Sequence, residues 1–286
     1  MPKLFVNMSA EQANLCALVL SSSGIPYYTT EGSHGWEVWV KDVDVEAALA
    51  AIKRYFRENP GQDLEETAVA DQPVKTASGL WAAGLLGVVY WAISTNRAGT
   101  LFFDNFAASA ERILAGEYYR TLTALMLHAD MLHLAGNMIG LALFGTAVCS
   151  IVRPGPGWLM ILLSGIIGNL GNALLYRSGH ISVGASTAVF GAVGILCACQ
   201  FWYKIRGAGQ RARAWLPIAG GLAFLAILGT GGRRVDLMAH LLGFVAGIAL
   251  GLAYCRWLPP PASKRRRLYS WVLTAGLLAA GWLRLF

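Results

Sequence analysis

Apolar stretches of about 20 residues, the length that crosses a bilayer as a single helix, recur along this chain and constrain its fold more than any other feature. They fall near Ser78–Thr95, Met131–Cys149, Gly157–Tyr176, Ser186–Tyr203, Trp215–Leu228, Val235–Cys255 and Leu268–Leu283, the fifth being the shortest. In lipid every backbone N–H and C=O must be satisfied within the protein, which leaves helices as the spanning form for runs of this kind. The fold class expected is therefore mainly α, a polytopic helical membrane protein. Composition agrees: hydrophobic residues make up 56% of the 286 positions and charged residues 14%, against roughly 25% charged in soluble domains. Met1–Pro60 is polar and mixed rather than basic followed by apolar, so it does not read as a signal peptide.

The first sixty residues read as a separate unit. Lys3–Asn7 has strand character, and Ser9 with Gln12 forms a capping box for a helix running to about Ser22. Gly24 and Pro26 break that helix, Tyr27–Thr30 and Trp36–Val40 are short strands about a Glu31–Gly35 turn, and a second helix spans about Val43–Arg57. The order β-α-β-β-α predicts a small α+β domain over residues 1–61. An acidic stretch over 62–76 links it to a membrane core of six helices over 77–257, and 258–286 adds a basic loop and a seventh helix. There is no internal repeat.

Charge sets an orientation. The loop after helix four carries Lys204, Arg206, Arg211 and Arg213, and the loop after helix six carries Arg256, Lys264, Arg265, Arg266 and Arg267, with no acid in either. The positive-inside rule makes that side cytoplasmic, which puts the amino terminus inside and the carboxyl tail outside. Arg233 and Arg234 count weakly against this assignment. The net charge of +7 then reads as topology and contact with anionic lipid. No nucleic-acid partner is expected, because neither a helix-turn-helix nor a stacked-aromatic pattern is present.

Two of the apolar helices carry polar residues that a span does not need. Ser186 opens helix four within Gly184-Ala185-Ser186, and His240 lies one to two turns into helix six. An ionisable side chain inside a span is by default a functional-site hypothesis, and serine with histidine is the pairing of a nucleophile and its base. With the amino terminus inside, both helices run from outside to inside, so both residues lie near the outer leaflet at one depth. Helix six repeats Ala239, Gly243, Gly247 and Gly251 every four residues, the small-residue pattern that lets membrane helices touch. At roughly 100° per residue Gly243 and Gly247 lie within about 60° of His240, so the histidine face is cleared of bulk. Helix four answers with Gly184, Ala185, Ala188, Gly191 and Gly194.

At the start of helix two His133 and Asn137 are spaced i, i+4 and share a face, with Asp130 as N-cap and His128 just outside the helix. An imidazole and an amide side by side are good donors to a developing oxyanion. The plain alternative is ordinary glycine packing with hydrogen-bonded polar side chains, and for His128 taken alone that alternative is preferred. The cysteines say little: Cys197 and Cys199 point to different helix faces, and no ligand set for a metal is visible.

These motifs, in this order, resemble the rhomboid family of intramembrane serine proteases. The residues that carry the resemblance are Gly184-Ala185-Ser186 with Gly191, Ala239-His240 with Gly243 and Gly247, and His128, His133 and Asn137. Glu117-Tyr118-Tyr119-Arg120 in the first outer loop and Gly165–Asn169 in helix three extend it. The amino-terminal module is similar to the cytoplasmic domain of bacterial GlpG-type rhomboids. The resemblance implies a six-helix rhomboid-like core with an additional seventh helix, in the bacterial inner membrane. It further implies a serine endopeptidase that cleaves transmembrane segments of protein substrates through an acyl-enzyme.

On that resemblance Ser186 is the nucleophile and His240 the base, in a dyad rather than a triad. His133, Asn137 and the Ser186 N–H hold the oxyanion, with His128, Phe190, Gly184 and Gly243 in support. Asp236, one turn before His240, is read as a helix cap. The long outer loop over 96–127 resembles the family's membrane-embedded first loop. Gly229, Gly231 and Gly232 are expected to form a cap over the site, and no cofactor is implied. Three features depart from the family pattern: Thr187 stands where glycine is usual, Phe190 where a tyrosine is often found, and helix seven lies beyond the six-helix core. The other readings are a catalytically silent rhomboid-like protein that binds membrane helices, and a transporter, which would need broken helices with charges at mid-membrane.

Overall fold

Periodicity and capping chemistry generate the amino-terminal elements directly. The computed structural model describes residues 2–32, 35–59, 75–96, 99–206, 213–229, 236–257 and 264–282. The chain divides into two units, Met1–Pro73 and Val74–Phe286.

In the first unit, strand β1 (Lys3–Met8) leads into helix α1 (Ala10–Ser22), then β2 (Tyr27–Gly32), β3 (Gly35–Val40) and α2 (Val45–Glu58). The capping box at α1 is complete: the Gln12 N–H donates to Ser9 Oγ at 3.1 Å, and Gln12 Oε1 accepts from the Ser9 N–H at 2.9 Å. All strand pairs are antiparallel with β3 in the centre, in the order β1-β3-β2. Alternation along β3 turns Val38 and Val40 inward, where they meet Leu4, Leu20, Ala48 and Ile52. On the other face of β3, Lys3 Nζ lies over the Trp39 ring and pairs with Glu37 at 2.7 Å. Cys16 is packed in this core, and burial pushes its thiol up to about 11. Thus residues 2–59 form a small α+β domain. Two residues of the Glu31–Gly35 turn, and 62–74 of the acidic linker, lie outside the described residues.

The second unit begins with α3 (Ser78–Ser94). A long connection follows, and it is structured rather than loose. It holds α4 (Gly99–Phe106), β4 (Ala108–Ser109), α5 (Ala110–Leu114), α6 (Arg120–Thr123) and a 3₁₀ turn over Ala124–Met126. Arg120, 1% exposed, organises it. Its guanidinium donates to Glu117 Oε2 at 2.6 Å and to the carbonyls of Asp104 and Ala107 at 2.9 and 3.1 Å. That hydrogen bond from Arg120 holds the Glu117 carboxyl below its ordinary pKa, against the small effect of its own desolvation.

Helix α7 (Met131–Gly140) passes through a π-helical turn at Leu141–Gly145 into α8 (Thr146–Val152), forming one continuous span of 22 residues. At Arg153, in a positive-φ conformation (82°), the chain reverses, and Pro154 at the first helical position starts α9 (Pro154–Tyr176). Strand β5 (Ile181–Ser182) pairs with β4, and α10 (Ser186–Arg206), α11 (Leu216–Gly229), α12 (Leu237–Trp257) and α13 (Lys264–Trp282) complete the unit.

Four of these segments are long and apolar enough to cross a membrane by length and composition: Met131–Val152, Pro154–Tyr176, Ser186–Ile205 and Leu237–Trp257. The helices at Ser78–Ser94 and Leu216–Ile227 are apolar but shorter. Helix α13 begins four residues before its apolar run, so its first turn is Lys264-Arg265-Arg266-Arg267. It folds back on α9, where a Cβ on Gly155 would lie 2.8 Å from the Arg267 carbonyl. Its far end meets the connection over 99–127, with the Trp282 and Phe106 rings 5.0 Å apart.

Candidate active site

Helices α10 and α12 touch backbone to backbone. A Cβ built on Gly243 would collide with the Thr187 carbonyl, and one on Gly247 would lie 2.8 and 2.9 Å from the carbonyl carbon and Cα of Gly191. A Cβ on Gly251 would meet Ala198 at 2.8 Å and Ile195 at 3.1 Å. One turn further on, Cys255 and Cys199 have their sulfurs 3.4 Å apart. The pairs 187–243, 191–247, 195–251 and 199–255 share an offset of 56 residues, since 243 − 187 = 255 − 199 = 56. A constant offset means two parallel helices in register, so the starts of both lie at one level.

Those starts carry the two polar residues. Ser186, the first residue of α10, has its Oγ 2.7 Å from Nε2 of His240, which is 6% exposed. The Phe190 ring lies 4.6 Å from the imidazole at an interplanar angle of 30°. Phe190 sits one turn into α10, so the same helix supplies the hydroxyl and the plate behind its partner. His240 Nδ1 is buried with no hydrogen-bond partner among the described residues.

Asp236 is not that partner, because its carboxylate is engaged elsewhere. Oδ1 accepts from the Ala239 N–H at 3.0 Å, capping α12. Oδ2 accepts from Asn172 Nδ2 at 2.7 Å and lies 2.7 Å from His180 Nε2. Burial alone would raise its pKa, and the hydrogen bonds from His180 and the Ala239 N–H outweigh that, holding the carboxyl below the ordinary carboxylate value.

Opposite the hydroxyl stands α7. Gly184, with φ +119° and hence a conformation that favours glycine, approaches it so closely that a Cβ would lie 2.5 Å from the His133 ring and 3.4 Å from Asn137 Nδ2. The Asn137 amide is buried, 5% exposed, and its Nδ2 has no acceptor among the described residues. A desolvated N–H without an acceptor is costly at rest and suited to receiving charge that develops later. Asp130 caps α7 by accepting from the His133 N–H at 2.8 Å, which fixes the helix start that holds the imidazole. His128 lies behind, its ring 5.3 Å from that of His133, its Nδ1 3.3 Å from the Met126 carbonyl and its Nε2 3.5 Å from the Ala185 nitrogen. It touches the backbone beside Ser186 rather than the space in front of it.

The residues anticipated from the sequence thus converge from α7, α10 and α12. Of the three glycines expected in a cap over the site, Gly229 is the last residue of α11, and Gly231 and Gly232 lie outside the described residues. Two polar groupings were not anticipated. One is His180 with Asn172, Asp236 and, stacked 4.0 Å over the imidazole, Tyr176. The orientation argument contained the signal for it, because α9 ends and α12 begins on the same face. The other joins Thr187 to Asn169, and nothing in one-dimensional spacing points to it. Among the described residues no three His, Cys, Asp or Glu side chains gather as a metal would need.

Comparison with known proteins follows the same residues. A family model described as Rhomboid domain matches residues 115–257, which include every residue of the pairing described above. The chain is 29% identical over 135 residues to the putative rhomboid protease YdcA of Bacillus subtilis, covering 47% of this chain and 66% of that one. It is 31% identical over 182 residues to rhomboid protease GluP of the same organism, covering 62% and 34%. A further similarity, 28% over 174 residues covering 58% and 19%, is to a human protein named inactive rhomboid protein 2. In each case the chain spans less than two thirds of its relative's length.

Proposed function

Because the chain belongs to the rhomboid family, we propose that it is an intramembrane serine endopeptidase that cuts transmembrane segments of other proteins with a Ser186–His240 dyad. The observation that carries the reading is the 2.7 Å approach of Ser186 Oγ to His240 Nε2 across two parallel helices in register. A hydroxyl is a weak nucleophile until a base within hydrogen-bond reach takes its proton.

The steps follow from the groups present. Ser186 Oγ attacks the scissile carbonyl carbon as His240 Nε2 accepts the hydroxyl proton. The resulting oxyanion is held by Asn137 Nδ2, the His133 ring and the Ser186 N–H, which belongs to the first turn of α10, where N–H groups lack an acceptor within the helix. Collapse breaks the C–N bond, His240 passes its proton to the leaving nitrogen, and the acyl group remains on Ser186. Water then adds to the ester carbonyl, with His240 again as base, and the acid product leaves. Phe190 limits the imidazole to a plane that faces Ser186 throughout.

The family includes a relative named inactive. This chain retains both the serine and the histidine in bonding contact, which favours the enzyme over a silent helix-binding protein. The basic loops after α10 and α12 support an orientation with the amino terminus cytoplasmic and the dyad toward the outer face of a bacterial inner membrane.

The deciding experiment reconstitutes wild type and Ser186→Ala with a transmembrane reporter. Cleavage by wild type and a loss of about 10⁴-fold or more in the variant is the expected result. Equal cleavage by both, or none by wild type across several reporters, overturns the dyad.

A further inference from the structure

We propose that Thr187 is a positioning residue, whose hydroxyl ties the helix turn bearing the nucleophile to the outer loop through Asn169. This rests on the reading of Ser186 as nucleophile and extends it to a residue without contact to substrate.

The observations form one chain. Thr187 is 2% exposed and follows Ser186 directly. Its hydroxyl donates to Asn169 Oδ1 on α9 at 3.0 Å, and Asn169 Nδ2 donates to the carbonyl of Thr121 on α6 at 2.8 Å. Both side chains are therefore satisfied within the interior. Two helices make room for the group: a Cβ on Gly168 would lie 2.5 Å from the Thr187 methyl, and one on Gly243 would lie 3.0 Å from it. A residue of this size can sit there only because α9 and α12 each present a glycine.

A second tie lies three residues earlier, where the Gly184 N–H donates to the Ala124 carbonyl at 2.9 Å. Thr121 and Ala124 belong to the same short segment, itself anchored by Thr123 Oγ1 donating to the Phe106 carbonyl at 2.8 Å. Gly184–Thr187 is thus held at both ends to one rigid piece of the outer loop, with Ser186 between the two ties. Removing the Thr187 hydroxyl frees one end and leaves Asn169 Oδ1 buried without a donor. The peptide carrying Ser186 can then rotate, and the 2.7 Å contact with His240 becomes one of several arrangements. Catalysis depends steeply on such alignment.

The test compares Thr187→Val, which keeps the shape and removes the hydroxyl, with Thr187→Ser, which restores it. Each is reconstituted as the full chain, alongside Asn169→Ala and Ser186→Ala. Readouts are kcat and KM on a transmembrane reporter and the rate of Ser186 labelling by a fluorophosphonate. Thermal midpoints show that each variant is folded.

The expectation is a fall in kcat and labelling of at least about tenfold for Thr187→Val with KM within about twofold, Thr187→Ser within about threefold of wild type, and Thr187→Val/Asn169→Ala no slower than the worse single variant. Labelling of Thr187→Val at the wild-type rate overturns the proposal, as does a fall in Ser as large as that in Val, which would show that the hydroxyl does not restore the alignment. Should Thr187→Val fail to fold, Asn169→Ala removes the other end of the same bond and decides the matter alone. If Ser186→Ala still cleaves, the dyad reading fails; if Ser186→Ala is dead and Thr187→Val is normal, only the positioning role does.

Discussion

Gly247→Ala tests whether backbone contact sets the site. The new Cβ would stand 2.8 and 2.9 Å from the carbonyl carbon and Cα of Gly191. The Gly191 carbonyl oxygen would be nearer still, and carbon atoms rest at about 3.5–4.0 Å, so α10 and α12 must part by about 0.7 Å or more. Overpacking of this kind costs about 1–3 kcal/mol, offset by about 0.5–1 kcal/mol that alanine gains over glycine inside a helix. Gly247 lies seven residues, about two turns or 10 Å, beyond His240 on the same face. A rigid helix carries the displacement to the imidazole, and misplacement near 1 Å can cost about 10²-fold. Fluorophosphonate labelling of Ser186 should therefore slow by about 10- to 100-fold, with a modestly lower melting midpoint. Gly84→Ala and Gly220→Ala are the controls, because a Cβ there meets nothing within 4 Å. Labelling of Gly247→Ala within twofold of wild type, at a midpoint no lower than the controls, would refute the reasoning.

Other consequences can be measured with the same preparations. Asp236 has a depressed pKa in the folded chain, so its contribution to stability is present above the ordinary carboxylate value of about 4 and is lost as pH falls through the lower folded value. Melting midpoints of wild type should drop more steeply below about pH 4 than those of Asp236→Asn; parallel acid limbs would contradict this. Phe190→Leu keeps apolar volume behind His240 and removes the ring that lies 4.6 Å from it. Labelling should slow by about tenfold while stability changes by less than about 1.5 kcal/mol, and an unchanged rate counts against a role for the ring. Arg120→Met takes one donor each from Glu117 Oε2 and the Asp104 and Ala107 carbonyls, which keep Tyr119, Arg112 and the Ser109 N–H. At about 1–3 kcal/mol for each bond lost from the guanidinium, limited proteolysis should cut within 104–120 faster than in wild type, and an unaltered digestion pattern would exclude the anchoring role.

Much of the fold was legible because lipid imposes a simple rule. Runs such as Pro154–Tyr176 and Leu237–Trp257 must be helical to satisfy their own backbone, and capping residues such as Ser9 mark ends chemically. The glycine stripe at 243, 247 and 251 was legible for a similar reason, since residues four apart share a face. Helix α13 was partly legible: the apolar run was seen, while its basic first turn was assigned to a loop, because helix propensity extends past the apolar boundary. The interior of the 99–127 connection was not legible. Its order depends on Arg120 reaching the carbonyls of Asp104 and Ala107, contacts at separations of 16 and 13 residues that leave no periodic trace. Asn169 and Thr187 were each marked singly, one within Gly165–Asn169 and the other as a departure from the family pattern, but the bond between them forms only where α9 and α10 cross. Asp236 was read correctly as a cap, whereas its link to His180 needed the fold.

The constant offset between α10 and α12 has a consequence for how activity is lost. Ser186 and His240 sit at the ends of two rods seated against each other through Gly243, Gly247 and Gly251, with no flexible side chains at those three contacts to absorb a small shift. Such a seam either holds or opens. Inactivation on heating should therefore coincide with cooperative unfolding of the bundle, leaving no temperature interval in which folded protein is inert. An enzyme whose dyad is aligned by loops would instead fade gradually before it melts.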